Sequence, residues 1–126
     1  MSTILIADDS KFMRMHLKHI ILGHGSYNIL EAADGRQAID LYKRQQPDLV
    51  VLDITMEHVD GLTTLKEIMS IGDSATVVMC SSIGTHSNIT ECQQLGAHDF
   101  IIKPHFERLV DVLNSLIAIN KLKRSE

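Results

Sequence analysis

The run Asp48-Leu-Val-Val-Leu-Asp53 decides the fold of this chain, because it is an unbroken apolar segment that ends on a carboxylate. A strand buried on both faces of a parallel sheet needs such a continuous apolar run. Packing gives no reason for an acid at the end of the run. The run therefore predicts a central strand, and Asp53 is a candidate functional residue.

Three other apolar runs in the chain also end on charged or hydroxyl side chains. The runs are Thr3–Ala7 before Asp8 and Asp9, Thr76–Cys80 before Ser81, and Phe100–Ile102 before Lys103. In an open α/β sheet, ligands bind in the crevice beyond the carboxyl ends of the strands. The polar residues at these ends are thus candidates for one shared site.

Helix-like segments alternate with the strands along the whole chain. Apolar residues at helical spacing predict helices at Ser10–Leu22, Arg36–Gln45, from Asp60 onward, at Ser87–Leu95 and from Phe106 to about Asn120. A more polar segment, Tyr27–Ala32, suits an edge strand. Strict alternation predicts an α/β fold of the flavodoxin-like (βα)5 type, a doubly wound parallel sheet with strand order 2-1-3-4-5. In this order Asp53 lies between the first and fourth strand ends, and the long stem of Lys103 reaches in.

Composition excludes several classes of protein. The 126 residues are 44% hydrophobic and 22% charged, which is typical of one globular domain. No apolar stretch approaches the roughly 20 residues of a transmembrane helix, and no secretion signal precedes the first strand. The net charge of −4 argues against nucleic acid as a partner. We expect one cytoplasmic, monomeric domain over residues 1–126, with a frayed tail at 121–126.

Three carboxylates at neighbouring strand ends require a compensating charge. At about 5 Å, each pair repels by roughly 3 kcal/mol at an effective dielectric constant of about 20. A hard cation relieves this repulsion, and oxygen ligands that leave room for water suit Mg²⁺. The sequence therefore predicts a magnesium site at Asp8, Asp9 and Asp53.

Each of these residues also has an ordinary structural interpretation. An acid or serine after a strand is commonly a helix N-cap, and Asp8, Asp9 or Ser10 could cap the first helix. A lysine beside a proline is normally a solvated loop residue, and Phe100 on a strand is commonly a core residue. Their joint occurrence at the predicted strand ends favours a functional site.

Short strings around these residues are typical of one family. The strings are Asp9-Ser-Lys-Phe-Met-Arg-Met15, Asp53-Ile-Thr-Met56, Met79-Cys-Ser81 and Gly96-Ala-His-Asp-Phe-Ile-Ile-Lys-Pro104. From Ile4 to about Ala118 the chain resembles the receiver domain of two-component response regulators. Within that family it is similar to the CheY-like, stand-alone chemotaxis regulators.

The resemblance implies a phosphoacceptor switch rather than an enzyme, with only self-phosphorylation from phosphodonors and self-dephosphorylation expected. Asp53 is the implied nucleophile, which becomes an aspartyl-phosphate. The implied direct ligands of Mg²⁺, for which Mn²⁺ can substitute, are Asp9, Asp53 and the backbone carbonyl of Thr55. Asp8 is implied to act through water.

The resemblance also implies a conformational switch. Ser81 donates a hydrogen bond to the phosphoryl group and moves inward, and Phe100 then turns from an outward to a buried position. Lys103 offsets the charge of the phosphoryl group. A cis peptide bond between Lys103 and Pro104 is expected to aim the lysine toward the site.

Three positions near the site are expected to tune its behaviour. Glu57 stands where the family usually has proline, four residues after the phosphoacceptor, which loosens the turn and adds an acid. The resemblance implies that Thr55 and Ile83 flank the phosphoryl group and influence the access of water. Because the apolar Ile83 does not orient a water molecule, we expect slow to moderate unaided dephosphorylation.

The implied partners are proteins. A histidine kinase is the expected phosphodonor, a flagellar-motor switch protein the expected target, and a phosphatase a further partner. The expected target surface comprises the fourth helix, fifth strand and fifth helix around Ile83, His98 and Phe100. Alternatives within the family are a phosphorelay intermediate, a receiver of a non-chemotaxis pathway, and a receiver separated from a C-terminal effector.

Two other classes of function remain as alternatives. An aspartate-nucleophile phosphatase would share the carboxylates, hydroxyl and lysine, but such enzymes carry Asp-X-Asp after the first strand, whereas Asp8 and Asp9 are adjacent. A flavodoxin-like cofactor binder would need a hydroxyl- and glycine-rich phosphate loop after that strand, and the sequence has none there.

Overall fold

Ten strands and helices alternate in the computed structural model, which describes residues 2–56, 58–72 and 76–125. The strands are β1 Thr3–Ala7, β2 Asn28–Ala32, β3 Leu49–Leu52, β4 Val77–Ser81 and β5 Asp99–Ile102. The helices are α1 Lys11–Leu22, α2 Gly35–Gln45, α3 Gly61–Ile71, α4 His86–Gln94 and α5 Glu107–Ser125. Each element lies within a few residues of its predicted position. The helix α5 continues to Ser125, beyond the predicted end near Asn120.

The five strands form one parallel sheet in the order β2-β1-β3-β4-β5, which confirms the predicted topology. The central strand β3 pairs Leu52 with Ala7 of β1 and with Met79 of β4. At the far side, Ser81 of β4 pairs with Ile102 of β5. The residues that follow these pairs therefore emerge together at one edge of the sheet, which is its carboxyl-terminal end.

The side chains of the strands alternate between two apolar cores, one on each face of the sheet. In β3, Val50 and Leu52 pack with the core beneath α2, α3 and α4. Their neighbours Leu49 and Val51 pack with the core beneath α1 and α5. Both faces are covered, so β3 needs the continuous apolar run Leu49–Leu52.

Four helices begin at a capping side chain that accepts a hydrogen bond from the backbone N–H three residues later. The caps are Ser10 for α1, Asp34 for α2, Asp60 for α3 and Thr85 for α4. Such a cap satisfies one of the unpaired donors of the first helical turn. Ser10 is the N-cap of α1. Helix capping therefore does not explain why Asp8 and Asp9 follow β1.

The polar edge strand is also as predicted, since Asn28 and Glu31 of β2 are exposed. Within the described residues, no helix combines the length and the apolar character needed to cross a membrane. Glu57, expected to loosen the turn after β3, lies outside the described residues.

Candidate functional site

Three carboxylates meet beyond the carboxyl ends of β1 and β3. Asp8, Asp9 and Asp53 each offer an oxygen, and these oxygens all lie within 4.8 Å of one another. Asp8 is 1% exposed and Asp53 is 8% exposed, whereas Asp9 faces solvent. In the described part of the chain, no other group of three or more His, Cys, Asp or Glu side chains has this arrangement.

The strand register brings Lys103 to the same edge from β5. Its Nζ donates to Asp8 Oδ2 at 2.7 Å and lies 3.6 Å from Asp53 Oδ2. The peptide bond between Lys103 and Pro104 is cis. Burial alone would lower the pKa of Lys103, but the hydrogen bond to Asp8 and the charges of Asp53 and Asp8 raise it. The lysine is therefore an ammonium ion at neutral pH.

Burial strongly affects the charge of Asp53. Loss of solvent raises its pKa from 3.8 to about 6, although Lys103 lowers it. The charge of Asp8 raises the pKa further, and the backbone N–H groups of Ile54 and Thr55 lower it. A pKa of about 6 leaves Asp53 mostly ionised at pH 7, so the site carries an excess of negative charge that a cation would stabilise.

Ser81 is the last residue of β4 and is almost fully buried at the same edge. Its Oγ accepts a hydrogen bond from the backbone N–H of Ile83 at 3.1 Å. The preceding residue, Cys80, has its pKa raised to about 12, mainly by burial. Its thiol is thus protonated at neutral pH and does not compete with Asp53 as a nucleophile.

Of the residues around which the target surface is expected, one is buried and the others are exposed. Phe100 is 7% exposed and packs in the core under α4, so it occupies the buried position in this structure. Ile83 is 45% exposed, and His98 and Thr55 also face solvent. Ile102, which no motif in the sequence singles out, is a further exposed apolar residue of the same region.

Two further neighbours of the site, Gly61 and Arg14, are evident only in the structure. Gly61 begins α3 so close to β3 that a Cβ atom there would lie 2.0 Å from the backbone oxygen of Asp53. Arg14 of α1 donates to the backbone oxygen of Asp8 at 2.7 Å. The Asp-Gly pair at 60–61 signalled a helix start, but neither contact has a signature in one sequence, because both join separate elements.

The donor set fits a magnesium ion. The three groups that could ligate a cation are all carboxylates, and hard divalent cations prefer oxygen ligands of this kind. Two of the acids are buried and one faces solvent, which leaves room for water molecules that Mg²⁺ usually retains.

Known proteins resemble this chain in sequence and in fold. The family model described as response regulator receiver domain matches residues 4–114. The chemotaxis protein CheY of Bacillus subtilis is 44% identical over 115 residues, covering 90% of this chain and 96% of that protein. CheY of Thermotoga maritima is 43% identical over 114 residues, covering 90% and 95% respectively.

A solved structure supports the same assignment. The crystal structure of the CheX–CheY–BeF3–Mg²⁺ complex from Borrelia burgdorferi contains a chain that is 38% identical to this one. The two superpose with a TM-score of 0.82, covering 94% of this chain and 88% of that chain. The chain therefore belongs to the response regulator receiver domain family and is a CheY-like receiver with an acidic site at Asp8, Asp9 and Asp53.

Proposed function

We propose that this protein is a response regulator that accepts a phosphoryl group on Asp53 from a histidine kinase and thereby switches a partner-binding surface. One observation carries the proposal. The carboxylate of Asp53 is buried at the end of the central strand, with an oxygen 3.6 Å from the Lys103 ammonium and within reach of Asp8 and Asp9. A nucleophile flanked by a cation and two further acids suits phosphoryl transfer.

In the transfer, an oxygen of the Asp53 carboxylate attacks the phosphorus atom of a phosphohistidine. The new O–P bond forms as the P–N bond breaks, and the electron pair of that bond stays on the imidazole nitrogen. Lys103 is already an ammonium ion at the site, so it can move its hydrogen bond from Asp8 to a phosphoryl oxygen. Fixed positive charge of this kind lowers the barrier because it is in place before the reaction.

Mg²⁺ would be held by Asp9, Asp53 and the backbone carbonyl of Thr55 directly, with Asp8 contributing through water; Mn²⁺ can substitute. When bound, the ion supplies positive charge that offsets the three carboxylates and the phosphoryl oxygens. The carboxylate cluster supports this assignment.

Ser81 and Phe100 form the proposed switch. The Oγ of Ser81 accepts from Ile83 in this structure, and its own proton can be donated to a phosphoryl oxygen. That rearrangement would move the loop between β4 and α4, in which Ile83 is exposed. The buried position of Phe100 is the one we assign to the phosphorylated protein, so the outward position belongs to the unphosphorylated state. A local charge thus biases an element with two arrangements.

The partners follow from the similarity to chemotaxis proteins. We assign a cytoplasmic chemotaxis histidine kinase as phosphodonor and a flagellar-motor switch protein as target. The target surface comprises α4, β5 and α5 and includes the exposed Ile83 and His98. A phosphatase would end the signal, and a relative is solved together with CheX. The alternative output is a phosphorelay or a non-chemotaxis pathway.

The test is labelling of the protein by a radioactive small-molecule phosphodonor such as acetyl phosphate. We expect labelling that requires Mg²⁺ and is abolished in Asp53→Asn. The matched control is Asp40→Asn, which makes the same change on the exposed face of α2 and should label normally. Retained labelling in Asp53→Asn would rule out the proposed phosphoacceptor.

A further inference from the structure

Arg14 of α1 joins the loop between β1 and α1 (residues 8–10) to the edge strand β2. Its Nη1 donates to the backbone oxygen of Asp8 at 2.7 Å, and its Nε donates to Glu31 Oε1 at 3.1 Å. The side chain of Arg14 is 14% exposed and that of Glu31 is 37% exposed. A planar guanidinium fixes the angle between two such bonds, which an ammonium ion cannot do.

The other polar groups of Asp8 are also held by protein partners. Its backbone N–H donates to the oxygen of Ala32 at 3.1 Å. Its Oδ1 accepts from the N–H of Ser10 at 2.9 Å, and its Oδ2 accepts from Lys103 at 2.7 Å. The bond from Arg14 completes the set, so this residue alone fixes the carbonyl group of Asp8 in the described structure.

That carbonyl belongs to the peptide group that links Asp8 to Asp9. A peptide group is planar, so holding its oxygen also fixes the direction in which the chain enters Asp9. The carboxylate of Asp9 faces solvent and accepts no hydrogen bond from the described residues. Its position beside Asp53 therefore depends on the backbone that Arg14 anchors.

We propose that Arg14 is a positioning residue for the metal-binding acids: it holds the Asp8–Asp9 peptide so that both carboxylates face Asp53, and Glu31 orients its guanidinium. The part that concerns Mg²⁺ rests on the proposed function. Removal of a residue that hydrogen-bonds to a metal ligand and orients it commonly weakens metal binding by about tenfold or more.

The charge and the geometry of Arg14 predict opposite results, which makes the test decisive. Removal of a positive charge close to three carboxylates would by itself strengthen Mg²⁺ binding. Loss of the anchored peptide would weaken it. In Arg14→Gln we expect the dissociation constant for Mg²⁺ to rise about tenfold, measured by titrating MgCl₂ into metal-free protein and following amide NMR shifts. An unchanged or lower constant would overturn the proposal.

Two further variants separate the contributions. Arg14→Lys keeps the charge but cannot hold both partners, so its dissociation constant should lie closer to that of Arg14→Gln than to that of the wild type. Full recovery by lysine would show that charge alone matters and would contradict the positioning role. Arg44→Gln is the control. It removes one positive charge from the last turn of α2, where the side chain is exposed, and it should bind Mg²⁺ normally.

A double-mutant cycle tests Glu31. Glu31→Gln should raise the dissociation constant by less than Arg14→Gln, and it should add little in the Arg14→Gln background. Equal effects in both backgrounds would contradict the orienting role of Glu31.

Amide hydrogen exchange gives a readout that needs no metal. The N–H of Ser10 donates to Asp8, so it should exchange faster in metal-free Arg14→Gln, whereas the N–H of Gly61, which donates to Ile54, should not change. If the wild type does not bind Mg²⁺, the proposed function fails, and the exchange at Ser10 alone decides whether Arg14 positions the loop. Unchanged exchange at Ser10 would then refute it.

Discussion

Asp53 combines burial with a negative charge, and these two properties oppose each other in the metal-free protein. Burial raises its pKa from 3.8 to about 6, so the folded protein holds the proton more tightly than the unfolded chain. Ionisation therefore opposes folding. The cost is absent below pH 3.8, grows as the pH rises toward about 6, and is constant above that.

This sign leads to a prediction for Asp53→Asn in EDTA. At pH 7.5 the variant should have a higher free energy of unfolding than the wild type, by up to about 3 kcal/mol. At pH 4 the difference should nearly disappear, because the wild-type carboxyl is then protonated in the folded state. Urea unfolding at both pH values measures this. A variant that is less stable than the wild type at pH 7.5 would contradict the raised pKa.

Lys103 supports the buried charge of Asp8. In Lys103→Met, Asp8 keeps its hydrogen bond from Ser10 but loses the cation at 2.7 Å. We expect the free energy of unfolding in EDTA at pH 7.5 to fall by about 3 kcal/mol, because a buried charge is left unpaired. Adding Asp8→Asn should restore much of the loss.

The matched control for this change is Arg108→Met, which breaks an exposed ion pair with Asp99. Exposed pairs contribute little, so the loss should stay below about 1 kcal/mol. Similar losses in Lys103→Met and Arg108→Met would show that the buried pair has no special role.

Ile83 is expected to control the lifetime of the phosphoryl group. It is exposed and its backbone N–H bonds to Ser81, so its side chain lies at the rim of the site. Ile83→Glu should lose its phosphoryl group faster than the wild type, because a carboxylate can orient a water molecule. Decay of labelled protein measures the rate, with Ile83→Leu as the control. Unchanged or slower decay in Ile83→Glu would disprove this role.

At the scale of the elements, the start of α3 is packed against the end of β3. The N–H of Gly61 bonds to the backbone oxygen of Ile54, and a Cβ atom on Gly61 would lie 2.0 Å from the backbone oxygen of Asp53. Only glycine allows this approach, so the contact fixes the height of α3 against the strand that carries the nucleophile.

Gly61→Ala should therefore force α3 and the end of β3 apart. We expect the free energy of unfolding to fall by about 3 kcal/mol, measured with urea. Gly72→Ala, at the other end of α3, provides the comparison, since nothing lies within 4 Å of a Cβ atom there. It should be neutral or slightly stabilising. Equal stability of the two variants would contradict the close packing.

At the scale of the whole molecule, the acidic site lowers stability until a cation binds. Three carboxylates lie together, and the raised pKa of Asp53 means that its ionisation lowers the free energy of unfolding. Functional sites of this kind commonly reduce the stability of the fold. Mg²⁺ that binds only the folded state should recover this stability.

We predict that Mg²⁺ at about one hundred times its dissociation constant raises the free energy of unfolding by about 2.7 kcal/mol. Urea unfolding with MgCl₂ and with KCl at the same ionic strength separates binding from screening. Asp9→Asn should reduce the effect. The same gain in KCl alone would show that no specific site exists.

The sequence determined the fold and the membership of the site to a large extent. A continuous apolar run such as Leu49–Leu52 is typical of a strand that is covered on both faces of a parallel sheet, and alternation with helices limits the strand order to few choices. Once the order is known, Asp8, Asp53 and Lys103 must emerge at one edge. These inferences need only local composition and the topology of parallel sheets.

The tertiary structure decided the distances between these groups. Lys103 donates its short hydrogen bond to Asp8 and not to Asp53. Arg14 holds the peptide between Asp8 and Asp9, and Gly61 allows α3 to approach β3. Each of these contacts joins residues on different elements. Their lengths depend on how far helices and strands slide when two cores pack at high density, and no local pattern in one sequence records that balance.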